Sequence, residues 1–316
     1  MKKFSFGKSY MALAILVVNA LALMMVLAGC ASAQTSGGNA GAGNAGPTAA
    51  SPAADLVRAL GGNATATLSN GQHGSTVTLS GDARVEGDLP LPEGNTTING
   101  NGTIYLQGKG SLFNIGDGQK LILDGVTLVG VADNDSTLVR VGSGGELVLK
   151  SGAITGNNTI NASGSNSNGG GVFVADGGTF TMSGGGIYGN TASSNGGGIW
   201  VHGGTFIMEG GEIYGNTALN IEDPSGGGGI FITGSATLIM EGGTIYGSDA
   251  EGGKANANNS FTSSAAITIY PEVTAKWGTG GTYTIGGVPQ SGGTNILQLD
   301  EYGGRSNVTL IAIPAR

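Results

Sequence analysis

The chain has 316 residues, of which 64 are glycine and one is cysteine, and its formal net charge is −8. A lone cysteine excludes a disulfide framework, so stability must come from packing or metal. The acidic balance argues against nucleic acid and against electrostatic binding to anionic head groups.

Lys2, Lys3 and Lys8 precede an apolar run from Met11 to Leu27. A basic region followed by an apolar one reads as a secretory signal. The run is too short and too near the N-terminus to favour a membrane-spanning helix in the mature protein. It ends in Leu27-Ala28-Gly29-Cys30, which resembles the lipobox of bacterial lipoproteins. That resemblance implies a leader over residues 1–29 and diacylglycerol on Cys30. The alternative is an ordinary signal cleaved after Ala33, with Cys30 discarded. Without residues 1–29, ten basic residues face 21 acidic ones, a net charge of −11. Membrane attachment would then rest on acyl chains, each buried CH₂ contributing about 0.8 kcal/mol, with two or more chains needed for stable anchoring.

Residues 30–52 carry no large apolar side chain beyond Cys30 and cannot form a core. They read as a flexible tether. From Ala53 to Leu60, Leu56, Val57 and Leu60 recur at helical spacing, and Gly61-Gly62 is a stop. This predicts a short amphipathic helix that caps the folded domain, residues 53–316.

Short alternating runs follow: Thr76-Val-Thr-Leu, Thr96-Thr-Ile-Asn-Gly, Thr103-Ile-Tyr-Leu, then Leu112 to Leu123 and Leu138 to Leu149. Three near-copies come next, beginning at Gly169, Gly196 and Gly227 and ending in Ile187-Tyr-Gly-Asn190, Ile213-Tyr-Gly-Asn216 and Ile245-Tyr-Gly-Ser248. Self-similarity at this period marks a repeat architecture whose units bury their apolar faces only by stacking. Within each copy apolar residues alternate over three or four positions, and paired or tripled glycines separate the runs. Three short strands and three turns per copy describe one coil of a single-stranded parallel β-helix. Steps of 27 and 31 residues from Gly171 to Gly198 to Gly229 suit coils with loop insertions. They do not suit propeller blades of about 40 residues or more.

Alignment of the copies predicts five inward columns: Val172/Ile199/Ile230, Val174/Val201/Ile232, Phe180/Phe206/Leu238, Met182/Met208/Met240 and Ile187/Ile213/Ile245. Ala266-Ile-Thr-Ile-Tyr, Thr282-Tyr-Thr-Ile, Asn295-Ile-Leu-Gln-Leu and Val308-Thr-Leu-Ile-Ala-Ile continue strand-like, which predicts nine or ten coils in all. Insertions at Asn157–Asn168, Thr217–Ser225 and Ser248–Thr262 should project from one corner. Asn190 and Asn216 predict an internal or turn amide ladder.

The repeats resemble the right-handed β-helices of the pectin-lyase-like superfamily. More narrowly, Ile187-Tyr-Gly-Asn190-Thr-Ala with Gly196-Gly-Gly-Ile199 resembles the repeats of chlamydial polymorphic outer-membrane proteins. Those repeats carry Phe-x-x-Asn and Gly-Gly-Ala-Ile/Leu/Val; here Ile187 and Ile213 replace the Phe, and Gly198 and Gly229 replace the Ala. The likeness covers Gly169–Ser248 well. It implies an adhesin, though one without the C-terminal β-barrel that carries those proteins, since only 23 residues follow Gly293.

The superfamily also implies polysaccharide lyases and hydrolases. The Arg-x-Pro-x-x-Arg string of pectate-type lyases is absent, and Val201-His202-Gly203-Gly204 lacks the glycine and aspartate pair of polygalacturonases. The remaining catalytic candidates are Glu209 and Glu241, one coil apart in a column with Lys150 and Ser183, together with His202 and neighbouring Asp176. Their other reading is as solvated turn residues. No cofactor motif is present. Asp133, Asp135, Glu222, Asp223, Asp249 and Glu251 can offer oxygen ligands to calcium, but without the spacing of a calcium loop.

Outward positions hold two aromatic columns: Phe173, Trp200 and Phe231, and Tyr188, Tyr214 and Tyr246. Strand alternation places both outside the coil. They predict either a platform for sugar rings or a partner protein, or ladders that stabilise the fold or lie beneath the insertions. The sequence therefore supports a lipid-anchored envelope protein that binds a glycan or a host or cell-surface protein, and no nucleic acid. A carbohydrate-active enzyme and a purely structural rod are the alternatives.

Overall fold

The computed structural model describes residues 52–61, 65–71, 74–220, 226–246, 252–258, 267–269, 274–277, 282–285 and 288–291. Alternation in sequence becomes alternation in burial. Along Thr179–Met182 the side chains are half-buried, buried, half-buried and buried, and Thr205–Met208 and Thr237–Met240 repeat the pattern. Such a strand has one face turned inward.

The strands stack in parallel as three long sheets. The first contains Glu146–Leu149, Thr179–Met182, Thr205–Met208 and Thr237–Met240 among its members. The second contains Ala153–Thr155, Gly186–Tyr188, Glu212–Tyr214 and Thr244–Ile245. The third contains Phe113–Ile115, Val139–Val141, Val172–Val174, Ile199–His202 and Ile230–Thr233. The chain visits the three sheets in turn and returns to the first one strand further along. This is an all-β parallel β-helix.

The five inward columns form as expected. Phe180 pairs with Phe206 and Phe206 with Leu238; Val172 pairs with Ile199 and Ile199 with Ile230. Every member of these columns is at most 3 % exposed. Leu121, Leu147, Leu123 and Leu149 extend them into the looser early coils. Each buried side chain contributes roughly 1.5–3 kcal/mol.

The ends of the stack depart from the coil. Thr65–Gly71 pairs antiparallel with Gly74–Ser80, and the helix Pro52–Ala59 packs there with Leu56 and Leu60 fully buried. The predicted cap is thus in place. Downstream, Thr282–Ile285 pairs antiparallel with Val288–Ser291 and is a hairpin, not the coil strand its alternation suggested. Period two specifies a strand with two unlike faces; it does not specify the partner's direction. The first sheet has nine strands, the first of them antiparallel, so the described stack is shorter than nine or ten coils. The strands expected at Asn295 and Val308 lie outside the described residues.

A feature absent from the three-strand expectation sits at the corner between the second and third sheets. Thr191–Ala192, Thr217–Ala218 and Ala257–Asn258 form a fourth parallel ladder. Two residues are too few to show a period. The corner itself is sealed by asparagines. Asn134, Asn157, Asn190, Asn216 and Asn256 are all fully buried. The Asn216 Oδ1 accepts from the Asn190 amide N–H at 3.1 Å, and Asn256 Oδ1 accepts from that of Asn216 at 3.1 Å. The Nδ2 groups donate to carbonyls of the second sheet: Asn190 to Ile154 at 3.0 Å and Asn216 to Ile187 at 2.9 Å. Asn190 and Asn216 were expected; Asn157 repeats their Gly-Asn dipeptide, while Asn134 and Asn256 lie in connections of different length. Glycine faces this ladder because a Cβ on Gly198 would lie 2.9 Å from Asn216 Nδ2.

Asn190→Ala should leave the buried Asn157 N–H unpaired, costing about 1–3 kcal/mol, and should remove the side-chain bond to the Ile154 carbonyl. A urea titration should show a lowered midpoint; an unchanged one would make the ladder dispensable.

Candidate functional site

The outward row of the third sheet runs Asn114, Arg140, Phe173, Trp200, Phe231. It begins polar and becomes aromatic. Phe173 and Trp200 stack with ring centroids 4.6 Å apart, and Trp200 Nε1 donates to Thr233 Oγ1 at 3.1 Å. The row faces away from the main core, as expected, yet Phe173, Trp200 and Phe231 are only 6 %, 9 % and 6 % exposed. Glycine turns of two coils pack against the base of the aromatic side chain on the next. A Cβ on Gly169 would lie 3.1 Å from that of Trp200, and one on Gly196 would lie 3.1 Å from that of Phe231. Phe173, Trp200 and Phe231 therefore form a small second core, not an open platform, with Phe173 at the end where the row turns polar.

The tyrosine row is half-buried. Tyr188 and Tyr214 stack at 4.8 Å with planes 9° apart, and Tyr246 meets Tyr214 edge-on at 6.0 Å. Lys254 closes this row. Its Nζ donates to Tyr246 OH at 2.8 Å and to Glu212 Oε2 at 3.1 Å, and it lies 4.3 Å from the Tyr246 ring centroid. Tyr246 OH donates in turn to Glu212 Oε1 at 3.0 Å. The Lys254 hydrogen bond holds the Glu212 carboxyl below its usual range against desolvation. The bonds to Tyr246 and Glu212 raise the Lys254 ammonium. Burial, then the neighbouring Tyr188, pushes the Tyr214 phenol up.

A groove opens where the outer row of the third sheet turns polar. One cavity of about 610 Å³ is lined by Asp88, Asn114, Asp135, Arg140, Asn161 and Asn166. A second of about 320 Å³ is lined by Asn114, Gln119, Arg140, Phe173 and Ala175. Asn114 and Arg140 border both. The Arg140 guanidinium lies 4.7 Å from the Phe173 ring centroid, and its Nη1 donates to Asn166 Oδ1 at 2.8 Å. Burial pushes its pKa down, but a guanidinium stays charged. Asn166 comes from the short 3₁₀ turn Gly164–Ser167 of the Asn157–Asn168 insertion, so the longer corner connection builds one wall. Arg140 and Asn114 were not singled out from the sequence. The signal was Val139-Arg140-Val141, which aligns with Val172-Phe173-Val174.

The catalytic candidates are not brought together. Ser183 Oγ donates to Glu209 Oε2 at 2.6 Å, and Glu241 follows one coil on, both glutamates being exposed. His202 shares a hydrogen bond of 3.1 Å with Thr233 Oγ1. The strand Thr205–Met208 separates His202 from Glu209, roughly 13 Å of extended chain. None of the three lines the groove. Asp176 lies against Gly203 rather than His202, because Val174 pairs with Val201 and sets the register one residue off. Asp133 engages Lys109 at 3.6 Å. Cys30, Glu222, Asp223, Asp249 and Glu251 lie outside the described residues, and among those described no three His, Cys, Asp or Glu side chains group as a metal site.

No family model matches the chain. No curated protein and no solved structure matches it.

Two outcomes follow from the aromatic rows. Trp200→Ala should destabilise the fold by about 3–5 kcal/mol, as for other buried aromatics; a thermal melt that does not move would show the ring to be dispensable. The Glu212–Lys254 contact stabilises above the unfolded glutamate's pKa, because the folded value is depressed, and is lost as pH falls through that value. It is present below the unfolded lysine's pKa and lost as pH rises through the raised folded value. Lys254→Met should therefore lower stability more near neutral pH than in acid, where only its contacts with Tyr246 and Tyr214 are left to lose, as read by melts across pH.

Proposed function

We propose that the chain is a bacterial cell-envelope lipoprotein, anchored through Cys30 and a flexible tether, whose β-helix is a non-catalytic binding module for a glycan or protein ligand. The observation that carries the reading is the paired cavity on the third sheet, meeting at Asn114 and Arg140 beside Phe173. Concave sites with a few convergent polar groups on a rigid frame are where ligands bind. Parallel hydrogen bonding between coils supplies that frame. Of the two aromatic columns, Phe173 contributes directly, as the wall on which Arg140 rests. The likeness of the repeats to adhesins favours binding over turnover. The spread of Glu209, Glu241 and His202 along the coil favours it too.

The test uses the mature protein in detergent with acidic and neutral polysaccharides and unrelated peptides, with and without calcium. Retention without product is expected, and Asn114→Ala with Arg140→Met should abolish it. Turnover that survives this double substitution but is lost in Glu209→Ala would replace the reading with an enzyme. Incorporation of labelled palmitate should disappear in Cys30→Ser; persistence would refute the lipid anchor.

A further inference from the structure

The charges around the groove narrow the ligand, given that the groove is a binding site as proposed above. Arg140 has five N–H donors, and one is used on Asn166. Among the described residues no carboxylate lies within 4.0 Å of it. One face of the guanidinium is occupied by Phe173. Arg140 borders both cavities, and a half-buried guanidinium without a counter-ion is matched by a carboxylate taken in two parallel hydrogen bonds.

The opposite sign stands on the same cavity. Asp88 and Asp135 line it with Arg140, and neither has a cation within 4.0 Å among the described residues. Asp88 is held by Asn114 Nδ2, which donates to its Oδ1 at 2.5 Å. Asp88 is also the one non-glycine described with positive φ, at 46°. That conformation is unfavourable for a side-chain-bearing residue and recurs at binding and catalytic sites. Glycine would fit the backbone better, so the carboxylate is kept at a cost to the fold.

Two acids and one base exclude the simple ligands. A uniform polyanion meets Asp88 and Asp135; a uniform polycation meets Arg140. Beyond Arg140 the second cavity turns apolar at Phe173 and Ala175. Ile160 is the one large apolar side chain exposed among the described residues, so no broad apolar patch offers an alternative docking face.

We propose that the groove binds an extended peptide segment of a partner protein that presents a cation to Asp88 and Asp135, a carboxylate to Arg140 and an apolar side chain to Phe173. Alternate residues of an extended peptide lie on one side, about 6.4–6.8 Å apart, so a single short segment can carry all three groups.

The test measures fluorescence anisotropy of labelled synthetic peptides with the full mature chain in detergent. One set carries Lys, Asp and Leu at alternate positions in both chain directions. The others replace Lys by Gln or Asp by Asn. Polyglutamate and polygalacturonate serve as polyanions. The amphoteric peptide should bind at least about tenfold more tightly than either single-sign analogue. Arg140→Met should remove the advantage of Asp over Asn, and Asp88→Gly the advantage of Lys over Gln. Asp88→Gly relieves the backbone, so its loss of binding cannot be ascribed to unfolding; a melt at or above the parent's confirms this. Polyanions bound as tightly as the peptide, with Arg140→Met abolishing both, would overturn the amphoteric ligand and leave the binding groove standing. Binding of every probe unaffected by Arg140→Met would overturn the groove as well.

Discussion

Hydrogen bonding between successive coils is the constraint on which the remainder of this molecule depends. Each strand must lie about 4.8 Å above its predecessor, in register with it. Every side chain therefore meets its own counterpart one coil away, and a column is only as stable as that meeting. Leucine, isoleucine, phenylalanine and methionine tolerate it inside, where they share one continuous core. At the corner between the second and third sheets the chain must turn with its polar backbone buried. The asparagine column solves this by letting each carboxamide bond to the coil on either side.

The same constraint acts on the outer face. Like residues in register stack, and stacking removes them from solvent. Phe173 stacks on Trp200, and Trp200 and Phe231 pack against glycine turns that have no side chain to hold the next coil away. A repeat perfect in sequence consequently makes a closed surface. An opening arises where the repeat is broken, and the coil carrying Arg140 breaks it twice. A guanidinium replaces an aromatic ring in the row, and the lengthened connection Asn157–Asn168 raises a wall beside it. The proposed binding groove lies at this irregularity, between the looser early coils and the near-identical later ones.

Charge follows the same division. The later outer row of the third sheet is apolar and internally satisfied, with the Trp200 indole bonded to Thr233. The tyrosine row is closed by its own Lys254 and Glu212. At the groove, Arg140, Asp88 and Asp135 form no ion pair among the described residues, although opposite charges line one cavity. A rigid solenoid can hold such groups apart, because the backbone of each coil is positioned by its neighbours and not by the side chains it displays.

Residue type and spacing alone determined the β-helix, the five apolar columns, the helical cap at Leu56 and Leu60, and an amide ladder at Asn190 and Asn216, though not that the ladder is buried. These are one-dimensional features: alternation sets which face is inward, and repetition sets which residues stack. The hairpin at Thr282–Ile285 escaped this reading because alternation carries no strand direction. The burial of Trp200 and Phe231 escaped it because a turn from one coil packs against the aromatic residue of the next, which no pattern within a copy records. The groove was decided by tertiary structure alone. Asp88, Asn114, Asp135, Arg140 and Asn166 come from successive coils and from connections of unequal length, and only stacking brings them to one cavity.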